Sequence, residues 1–333
     1  MSDIKAEADV NDSGIILIDG ATGYVGSHLT DYLSRQGLAV RCLARTQADP
    51  EDIAVLKSCK ADVHQADSKD DSAKFKRAFQ GIRTAVHLIG SIAPRKGESL
   101  EELHVGETRR FAELCLDAQV TRVIMVTALG TGKNALSEYH RTKWLAEEVV
   151  RASGLNCIFI RPSLLIGRTF GRRDSKLVRR FREMIAKRRV VPLIGGGANK
   201  IQPLFIGDLV AAIAKCLVLE PADAFDSAPI FELGGPQVMT MRQFVEELMN
   251  VLGYTRKFFD LPVPLANLLG FFAEISQDVP IVSRDQIKIS MIDNICATND
   301  LTGKLGIEPV NVSFALRTYT KTMGDQSLLL GRV

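Results

Sequence analysis

The chain has 333 residues, of which 46% are hydrophobic and 24% are charged, and its formal net charge is +3. These values are typical of an ordinary folded protein with room for one large domain or two coupled lobes. No uninterrupted apolar run approaches the roughly eighteen residues of a membrane-spanning helix, and a net charge this small predicts no nucleic-acid partner.

The termini and cysteines bear on the cellular compartment. The first thirteen residues, MSDIKAEADVNDS, are polar and acidic, which predicts a flexible tail and neither a secretion signal nor a transit peptide. The six cysteines lack any C-x-x-C pairing and sit mostly among apolar neighbours, which favours buried free thiols in a reducing compartment. We therefore expect a protein without a metal site that is cytoplasmic, either free or peripheral to a membrane.

Short apolar runs alternate with amphipathic helical patterns through the first half of the chain. The runs are GIILID, AVRCLA, ADVHQA, TAVHLIG, TRVIMVTA and NCIFIRP. This alternation predicts an α/β fold of the Rossmann type, with a doubly wound parallel sheet. We expect a nucleotide-binding domain over residues 14–165 and a smaller C-terminal lobe over residues 166–333 that is intertwined with it.

A glycine-rich loop follows the first predicted strand. GIILIDGATGYVG places Gly20, Gly23 and Gly26 between that strand and the start of a predicted helix. Glycines there let the backbone turn tightly and approach a pyrophosphate, whose charge meets the free N–H groups at the helix N-terminus. The context predicts a dinucleotide-binding loop; the alternative is a glycine-rich turn that binds nothing.

The end of the second predicted strand indicates which dinucleotide is bound. Proteins that prefer NAD usually carry an acidic residue there, whereas this chain has Arg45 in RCLARTQ. A guanidinium can form two hydrogen bonds to a 2′-phosphate, so we expect NADP(H) to be favoured over NAD(H). Alternatively, Arg45 is solvated or stacks on the adenine. Asp67, after the third strand, is placed either to contact the adenine or to cap a helix.

Three further residues have the types and spacing of a proton-transfer site. The strand TRVIMVTA ends at Thr127, and Tyr139 and Lys143 lie four positions apart on the next predicted helix, hence on one face. Moving the pKa of a tyrosine from about 10 toward 7 costs about 4 kcal/mol, which a nearby ammonium in a partly desolvated cleft could largely supply. The alternative is that Tyr139 only packs and Lys143 is in water.

These motifs together carry a family resemblance. GATGYVG, HLIGS, Thr127 with Tyr139-x-x-x-Lys143, and RPSLLIG resemble the short-chain dehydrogenase/reductase superfamily in its extended or atypical branch. VTALG, IQPLFIGDLVAAI and FELGGPQVMTMRQFVEEL are similar to NAD(P)-binding proteins of the NDUFA-nine type, an accessory subunit of respiratory complex I. The resemblance covers nearly the whole chain. It implies either hydride transfer to or from a carbonyl or hydroxyl, or a non-catalytic NADPH-binding accessory or assembly subunit.

The resemblance also assigns roles by position. Tyr139 would be the acid–base group, Lys143 its helper and a ligand of the nicotinamide ribose, and Thr127 the substitute for the usual serine. His104 stands where many extended members have asparagine, and it either joins a proton relay or is bonded locally. The implied cofactor contacts are Gly20, Thr22, Gly23, Tyr24, Val25 and Gly26 to the pyrophosphate, Arg45 to the 2′-phosphate, Asp67 to the adenine, Leu88, Ile89 and Gly90 to the adenosine ribose, and Pro162, Ser163 and Leu165 to the nicotinamide.

Two segments of the second half suggest partners. Residues 168–189 hold ten lysines and arginines against two acidic residues, and the predicted helix within 174–189 has an apolar stripe. It either rests on anionic lipid or an acidic protein, or buries its stripe and leaves the cations in water. The apolar stretch DLPVPLANLLGFFAEI packs in the core, lines a pocket, or docks on a membrane or subunit. A lined pocket would suit an apolar small-molecule substrate that is lipid-, isoprenoid- or quinone-like.

Overall fold

A computed structural model describes residues 14–67, 72–92, 97–219, 228–277, 280 and 282–320. The predicted flexible tail, residues 1–13, lies outside this range. The strands are β1 Ile15–Asp19, β2 Val40–Ala44, β3 Asp62–Gln65, β4 Ile82–His87, β5 Arg122–Val126, β6 Cys157–Pro162, β7 Leu165–Ile166, β8 Val190–Ile194, β9 Lys200–Ile201, β10 Leu204–Phe205, β11 Ile230–Leu233, β12 Met239–Thr240 and β13 Lys257–Leu261.

Helices connect these strands. They are α1 Tyr24–Arg35, α2 Pro50–Ser58, α3 Ser72–Ala78, α4 Glu107–Asp117, α5 Glu138–Ser153, α6 Lys176–Lys187, α7 Ile206–Leu217, α8 Met241–Leu252, α9 Val263–Ser276, α10 Arg284–Ser290, α11 Asp300–Gly303 and α12 Val312–Arg317. A π-helical turn, Glu102–Gly106, precedes α4, and short 3₁₀ turns lie at Gly195–Gly197 and Thr318–Thr320.

The central sheet confirms the predicted Rossmann-type fold. Its seven strands are parallel and lie in the order β11-β6-β5-β4-β1-β2-β3. The order reverses between β1 and β4, where Asp19 pairs with His87. Ligands of such sheets bind at the carboxyl ends of the strands that flank this reversal. The fold therefore places the glycine loop after β1 and the segment after β4 at the binding edge.

Alternating side chains of the strands fill two cores. Ile16 and Ile18 of β1 belong to one apolar cluster, and Leu17 between them belongs to another. Successive strand residues face opposite sides, so each face of the sheet is covered by its own layer of helices. Residues 230–233 return from the C-terminal half to form β11 beside β6.

The helix α9 is mostly exposed. Of its fourteen residues only Ala266 and Gly270 are buried, whereas Phe272 and Ile275 each expose 58% of their surface. The interpretation that this apolar stretch packs in the core is therefore wrong, because most of its large apolar side chains are exposed. None of the helices that the structure describes is long and apolar enough to cross a membrane.

Candidate nucleotide and proton-transfer site

The glycine loop has the geometry that an approaching phosphate requires. Gly20 has a φ of +79°, and the amide of Gly23 donates to the Gly20 carbonyl at 2.9 Å, which closes the turn between β1 and α1. A Cβ on Gly26 would lie 2.4 Å from the Gly20 carbonyl oxygen and 2.6 Å from the Ala21 Cα. No side chain caps the first turn of α1.

These observations fit a dinucleotide. The uncapped first turn of α1 presents N–H groups and a positive dipole end to an anion, and Thr22, Gly23 and Val25 are partly exposed around it. Gly26 leaves no space for any side chain between the loop and the helix, so the backbone itself forms the cradle. The residues that the sequence predicted for the pyrophosphate therefore lie together at the switch point of the sheet.

Tyr24 differs from the others in how its side chain is used. Its phenol donates to the Gly167 carbonyl at 2.6 Å, and the hydroxyl of Ser27, one turn on, donates to the Phe170 carbonyl at 2.8 Å. Both bonds hold residues 167–173, which we call the strap, against α1. Only the backbone of Tyr24 is left for the phosphates, so a role for its side chain there is not supported.

The strap continues past α1 to the start of α2. Arg172 forms an ion pair with Asp49, and the Arg173 guanidinium lies 3.6 Å from Asp52. Arg45 follows the carboxyl end of β2, and its side chain is exposed. This edge of the site therefore carries arginines from two segments that are far apart in sequence.

Asp67 is bonded to the segment that follows β2. Its carboxylate accepts hydrogen bonds from the hydroxyl and, at 3.2 Å, from the backbone N–H of Thr46. These bonds join the segment after β3 to the segment after β2. Asp67 thus braces the turn that follows Arg45, whereas the sequence offered adenine contact or a helix cap.

Tyr139, Lys143 and His104 meet near the end of β4. The ring of His104 packs edge-on against that of Tyr139 with 5.4 Å between centroids. The Lys143 ammonium donates to the Ile89 carbonyl at 2.8 Å, and a Cβ on Gly90 would lie 2.5 Å from the Lys143 Nζ. Gly90 therefore gives the lysine room to reach the strand end, where Leu88 and Ile89 are partly buried.

The pKa of Tyr139 moves opposite to the sequence-based expectation. Burial raises it to about 12, whereas Lys143 was expected to lower it toward 7. Burial also lowers the pKa of Lys143 to about 8, with Glu147 opposing that shift. The physical reason is that both groups lose water while the ammonium is directed to the Ile89 carbonyl. Tyr139 is therefore a protonated phenol at neutral pH, suited to giving a proton.

The hydrogen bonds of His104 define its tautomer. The Thr142 hydroxyl has one proton, which it donates to the carbonyl of Glu138 or Tyr139, so it accepts from Nδ1–H of His104 at 2.8 Å. The Ser91 amide donates to Nε2 of the same ring at 3.4 Å. Both contacts require a neutral ring with a bare Nε2. Burial, followed by the charge of Lys143, lowers the pKa of His104 to about 2, which keeps the ring neutral.

Thr127 does not present its hydroxyl to a cleft. Buried at the end of β5, it donates to Glu147 Oε1 at 2.7 Å. Glu147 is fully buried and also accepts two hydrogen bonds from Arg161 and one from Arg151. Thr127 is therefore part of a buried ionic network between α5 and the sheet. This geometry argues against the predicted contact between Thr127 and the substrate.

We expect Glu147→Ala to lower the free energy of unfolding by about 3–5 kcal/mol, because it leaves the Arg161 guanidinium largely buried without its counter-charge. Urea unfolding followed by circular dichroism measures this change. Glu148→Ala is the matched control, since Glu148 pairs with Arg151 but is 45% exposed, and we expect less than about 1 kcal/mol. Equal losses for the two variants would contradict a structural role for Glu147.

Asp285 positions the helix that carries Tyr139. Its carboxylate, on α10, accepts hydrogen bonds from the backbone N–H groups of Glu138 and Tyr139 at 2.8 and 3.1 Å. The Ser137 side chain caps the same turn by accepting from the His140 amide. A carboxylate at a helix N-terminus is favoured by the helix dipole. The C-terminal lobe thus holds the first turn of α5 directly, and no sequence motif indicated this.

The residues predicted to face the nicotinamide are used mainly inside the protein. Pro162 is buried at the end of β6, and the hydroxyl of Ser163 donates to the Gln202 carbonyl. Leu165 is partly buried in β7, paired with Leu204 of β10. The segment therefore lies after β6 where the prediction put it, although the Ser163 hydroxyl is directed toward the residues before β10.

The basic helix buries its apolar stripe. Val178, Phe181 and Ile185 of α6 are in the core. Arg182 donates to Asp174 at 3.1 Å, and Arg180 donates to Gln286 of α10 at 3.2 Å. Exposed cations remain, and within the described ranges they form no ion pair: Arg179, Lys187, Arg188 and Arg189.

All six cysteines are free, and five of them are buried, as the sequence predicted, while Cys296 is half-buried. In the part of the chain that the structure describes, no group of three or more His, Cys, Asp or Glu side chains could hold a metal ion.

Sequence relatives agree with this geometry. The family model for NAD(P)H-binding domains matches residues 20–185. Subunit 9 of the NADH dehydrogenase [ubiquinone] 1 alpha subcomplex is 26% identical over 89% of this chain and 77% of its own length in Mus musculus. The Arabidopsis thaliana protein of that name is 26% identical over 78% of this chain, which spans only 63% of the relative. A ceramide reductase of Caulobacter vibrioides is 26% identical over 60% of each chain.

Solved structures with the same fold are more distant in sequence. UDP-glucose 4-epimerase of Thermotoga maritima superposes with a TM-score of 0.69 over 91% of this chain and 96% of its own, at 18% identity. UDP-glucuronic acid 4-epimerase of Bacillus cereus, solved with UDP-glucuronic acid and NAD, gives 0.69 over 91% and 97%, at 16% identity. Residues 20–185 therefore match the NAD(P)H-binding family, while the chain as a whole resembles subunit 9 of the complex I alpha subcomplex and has the same Rossmann-type fold as the sugar-nucleotide epimerases.

Proposed function

We propose that this protein is an NADP(H)-dependent oxidoreductase that acts on a carbonyl or hydroxyl group of a hydrophobic, lipid-, isoprenoid- or quinone-like substrate. The observation that carries the proposal is the meeting of Tyr139, Lys143 and His104 at the carboxyl edge of the sheet, beside the glycine loop. A phenol, an ammonium and a neutral imidazole in a desolvated site can move one proton to or from a substrate oxygen.

The direction of proton transfer follows from the state of Tyr139. With a pKa of about 12, the phenol carries its proton at neutral pH and gives it to a carbonyl oxygen as that oxygen gains charge. A bound reduced nicotinamide would supply the hydride to the carbonyl carbon. Lys143, whose ammonium bonds to the Ile89 carbonyl at the end of β4, would contact the nicotinamide ribose. The proposed direction is therefore reduction of a carbonyl to an alcohol.

The preference for NADP(H) rests on Arg45 at the end of β2. We expect Arg45→Glu to raise the dissociation constant for NADPH by about 10- to 100-fold, because the substitution removes a charged hydrogen-bonding partner of the 2′-phosphate. The dissociation constant for NADH should change little. Isothermal titration calorimetry with each nucleotide measures this difference. Lys60→Glu, an exposed cation after α2, is the matched control. Equal loss of both nucleotides in Arg45→Glu would overturn the assignment of Arg45 to the 2′-phosphate.

The proposal of a lipid-like substrate has two supports. A relative that matches 60% of this chain bears the name ceramide reductase, so one homologue acts on a long-chain lipid. The C-terminal lobe, which holds the first turn of α5 through Asp285, is also rich in apolar side chains on α9. A sugar-nucleotide substrate, as in the structural neighbours, would need polar groups at this end of the site.

The direct test uses NADPH deuterated at C4 with a panel of long-chain ketones and quinones. We expect deuterium on the carbinol carbon of one product, detected by mass spectrometry, and none when Tyr139 is replaced by phenylalanine. If the wild-type protein binds NADPH but transfers deuterium to no member of a broad panel, a non-catalytic accessory function is favoured.

The second candidate is a non-catalytic NADPH-binding accessory or assembly subunit of a respiratory or membrane complex. It is supported by the relatives named as complex I subunits, which match up to 89% of this chain. In this candidate α6, within residues 174–189, would contact an acidic protein or a membrane, and nucleic acid would play no part. Arg180 and Arg182 of this helix are bonded internally, whereas Arg179 is exposed. The cellular location would then be peripheral to a membrane and not free in the cytoplasm.

A further inference from the structure

The exposed face of α9 is unusually apolar. Its members occur at helical spacing, so they line one side of the helix. Each exposes between 41% and 58% of its surface: Leu265, Leu268, Leu269, Phe271, Phe272 and Ile275. Scattered apolar side chains are normal on surfaces, but a contiguous helical face of six large ones marks an interaction site.

Cations border this face. Arg284 of α10 lies over the Phe271 ring at 5.3 Å and is ion-paired with Glu274 of α9 at 2.8 Å, whereas Lys288, one turn on, is exposed and forms no ion pair within the described ranges. The basic helix α6 contacts α10, because Arg180 of α6 donates a hydrogen bond to Gln286 of α10. Arg179, next to it on α6, is exposed. An apolar helical face bordered by arginine and lysine is the arrangement that binds an anionic membrane surface, with its apolar side chains among the acyl chains.

We propose that the exposed face of α9, with the cations of α10 and α6, docks on the surface of an anionic phospholipid bilayer. The charge distribution favours this occupant over a second copy of the chain. A two-fold interface would pair this patch with a second copy of itself, so two surfaces with the same excess of cations would approach each other. Phosphate headgroups carry the opposite charge.

The docking face is linked to the candidate site through one helix. α9 packs on α10, where Gly270 comes within contact distance of Ile287, and Asp285 of α10 holds the backbone of Tyr139. If the proposed function holds, a lipid-like substrate would enter from the bilayer at this side of the site. This last step rests on the proposed function, whereas membrane binding itself needs neither cofactor nor substrate.

The test is sedimentation with sucrose-loaded vesicles, made of phosphatidylcholine alone or mixed with phosphatidylglycerol. We expect binding to the anionic vesicles that weakens as salt is added. The double variant Leu269→Glu/Phe272→Glu should lower the partition coefficient about tenfold or more, because charged side chains do not enter acyl chains. Leu116→Glu on α4 is the matched control, since Leu116 is 49% exposed on another helix, and it should bind like the wild type.

The cation contribution is tested by Arg179→Glu/Lys288→Glu, which should reduce binding to anionic vesicles severalfold and leave the fold intact by circular dichroism. No binding of the wild-type protein to anionic vesicles overturns the proposal. So does a concentration-dependent dimer that Leu269→Glu/Phe272→Glu dissolves, since the face would then belong to a second copy. Either result leaves the hydride-transfer test of the proposed function unaffected.

Discussion

Replacing Gly26 by alanine is expected to abolish nucleotide binding, with a loss of affinity of at least about 100-fold. The new Cβ would lie 2.4 Å from the Gly20 carbonyl oxygen and 2.6 Å from the Ala21 Cα. Both are backbone atoms, so no side chain can rotate away to relieve the overlap. The loop or the start of α1 must move, and the phosphate cradle moves with it.

Fluorescence titration with NADPH measures the affinity. Urea unfolding measures the decrease in the free energy of unfolding, which we expect to be about 1–3 kcal/mol, as for other overpacked sites. Gly132→Ala is the matched control, because an added Cβ there meets nothing within 4 Å and Gly132 has no positive φ. A Gly26→Ala protein that folds and binds NADPH as tightly as the wild type would mean that the loop is a turn without a ligand.

The sequence was sufficient to predict the fold and the position of the glycine loop, because both depend on local patterns. Apolar runs alternating with amphipathic stretches specify parallel strands and helices, and Gly20, Gly23 and Gly26 lie at a strand–helix junction. The spacing of Tyr139 and Lys143 on one helix also predicted that both would reach the same site.

Residues whose roles depend on distant partners were not predictable. Thr127 was assigned to the substrate because it ends a strand, but its hydroxyl binds Glu147, and nothing in the local sequence pairs Glu147 with Arg161. Asp285 caps the helix of Tyr139 from 146 positions away. Likewise, the sequence of α9 is apolar whether the helix is buried or exposed, and only tertiary packing distinguishes the two cases.

The environment of Tyr139 illustrates why composition of a site does not fix its electrostatics. A lysine four positions away was expected to lower the pKa of the phenol, yet burial raises it to about 12 while the ammonium bonds to the Ile89 carbonyl. Burial disfavours the charged form of each group, and a lysine stabilises a phenolate only where it faces that oxygen. The phenol of Tyr139 consequently keeps its proton at neutral pH.

Replacing Tyr139 by phenylalanine is therefore expected to lower turnover by about 10²- to 10⁴-fold, the usual contribution of a positioned acid, with little change in NADPH affinity. The ring contacts with His104 and His140 do not need the hydroxyl, so the fold should remain. Turnover is measured on the ketone or quinone that accepts deuterium, and NADPH affinity by fluorescence titration. Tyr254→Phe, on an exposed ring beside Arg256, is the matched control.

The same variant separates the enzyme from its non-catalytic alternative. In an enzyme, Tyr139→Phe loses proton transfer but keeps the nucleotide, because the glycine loop and Lys143 are untouched. Undiminished turnover in Tyr139→Phe would exclude the phenol as the acid and direct attention to a water as the proton donor. If instead the phenol only packs, as in an accessory subunit, the substitution changes neither nucleotide affinity nor membrane binding, and the wild-type protein itself transfers no hydride.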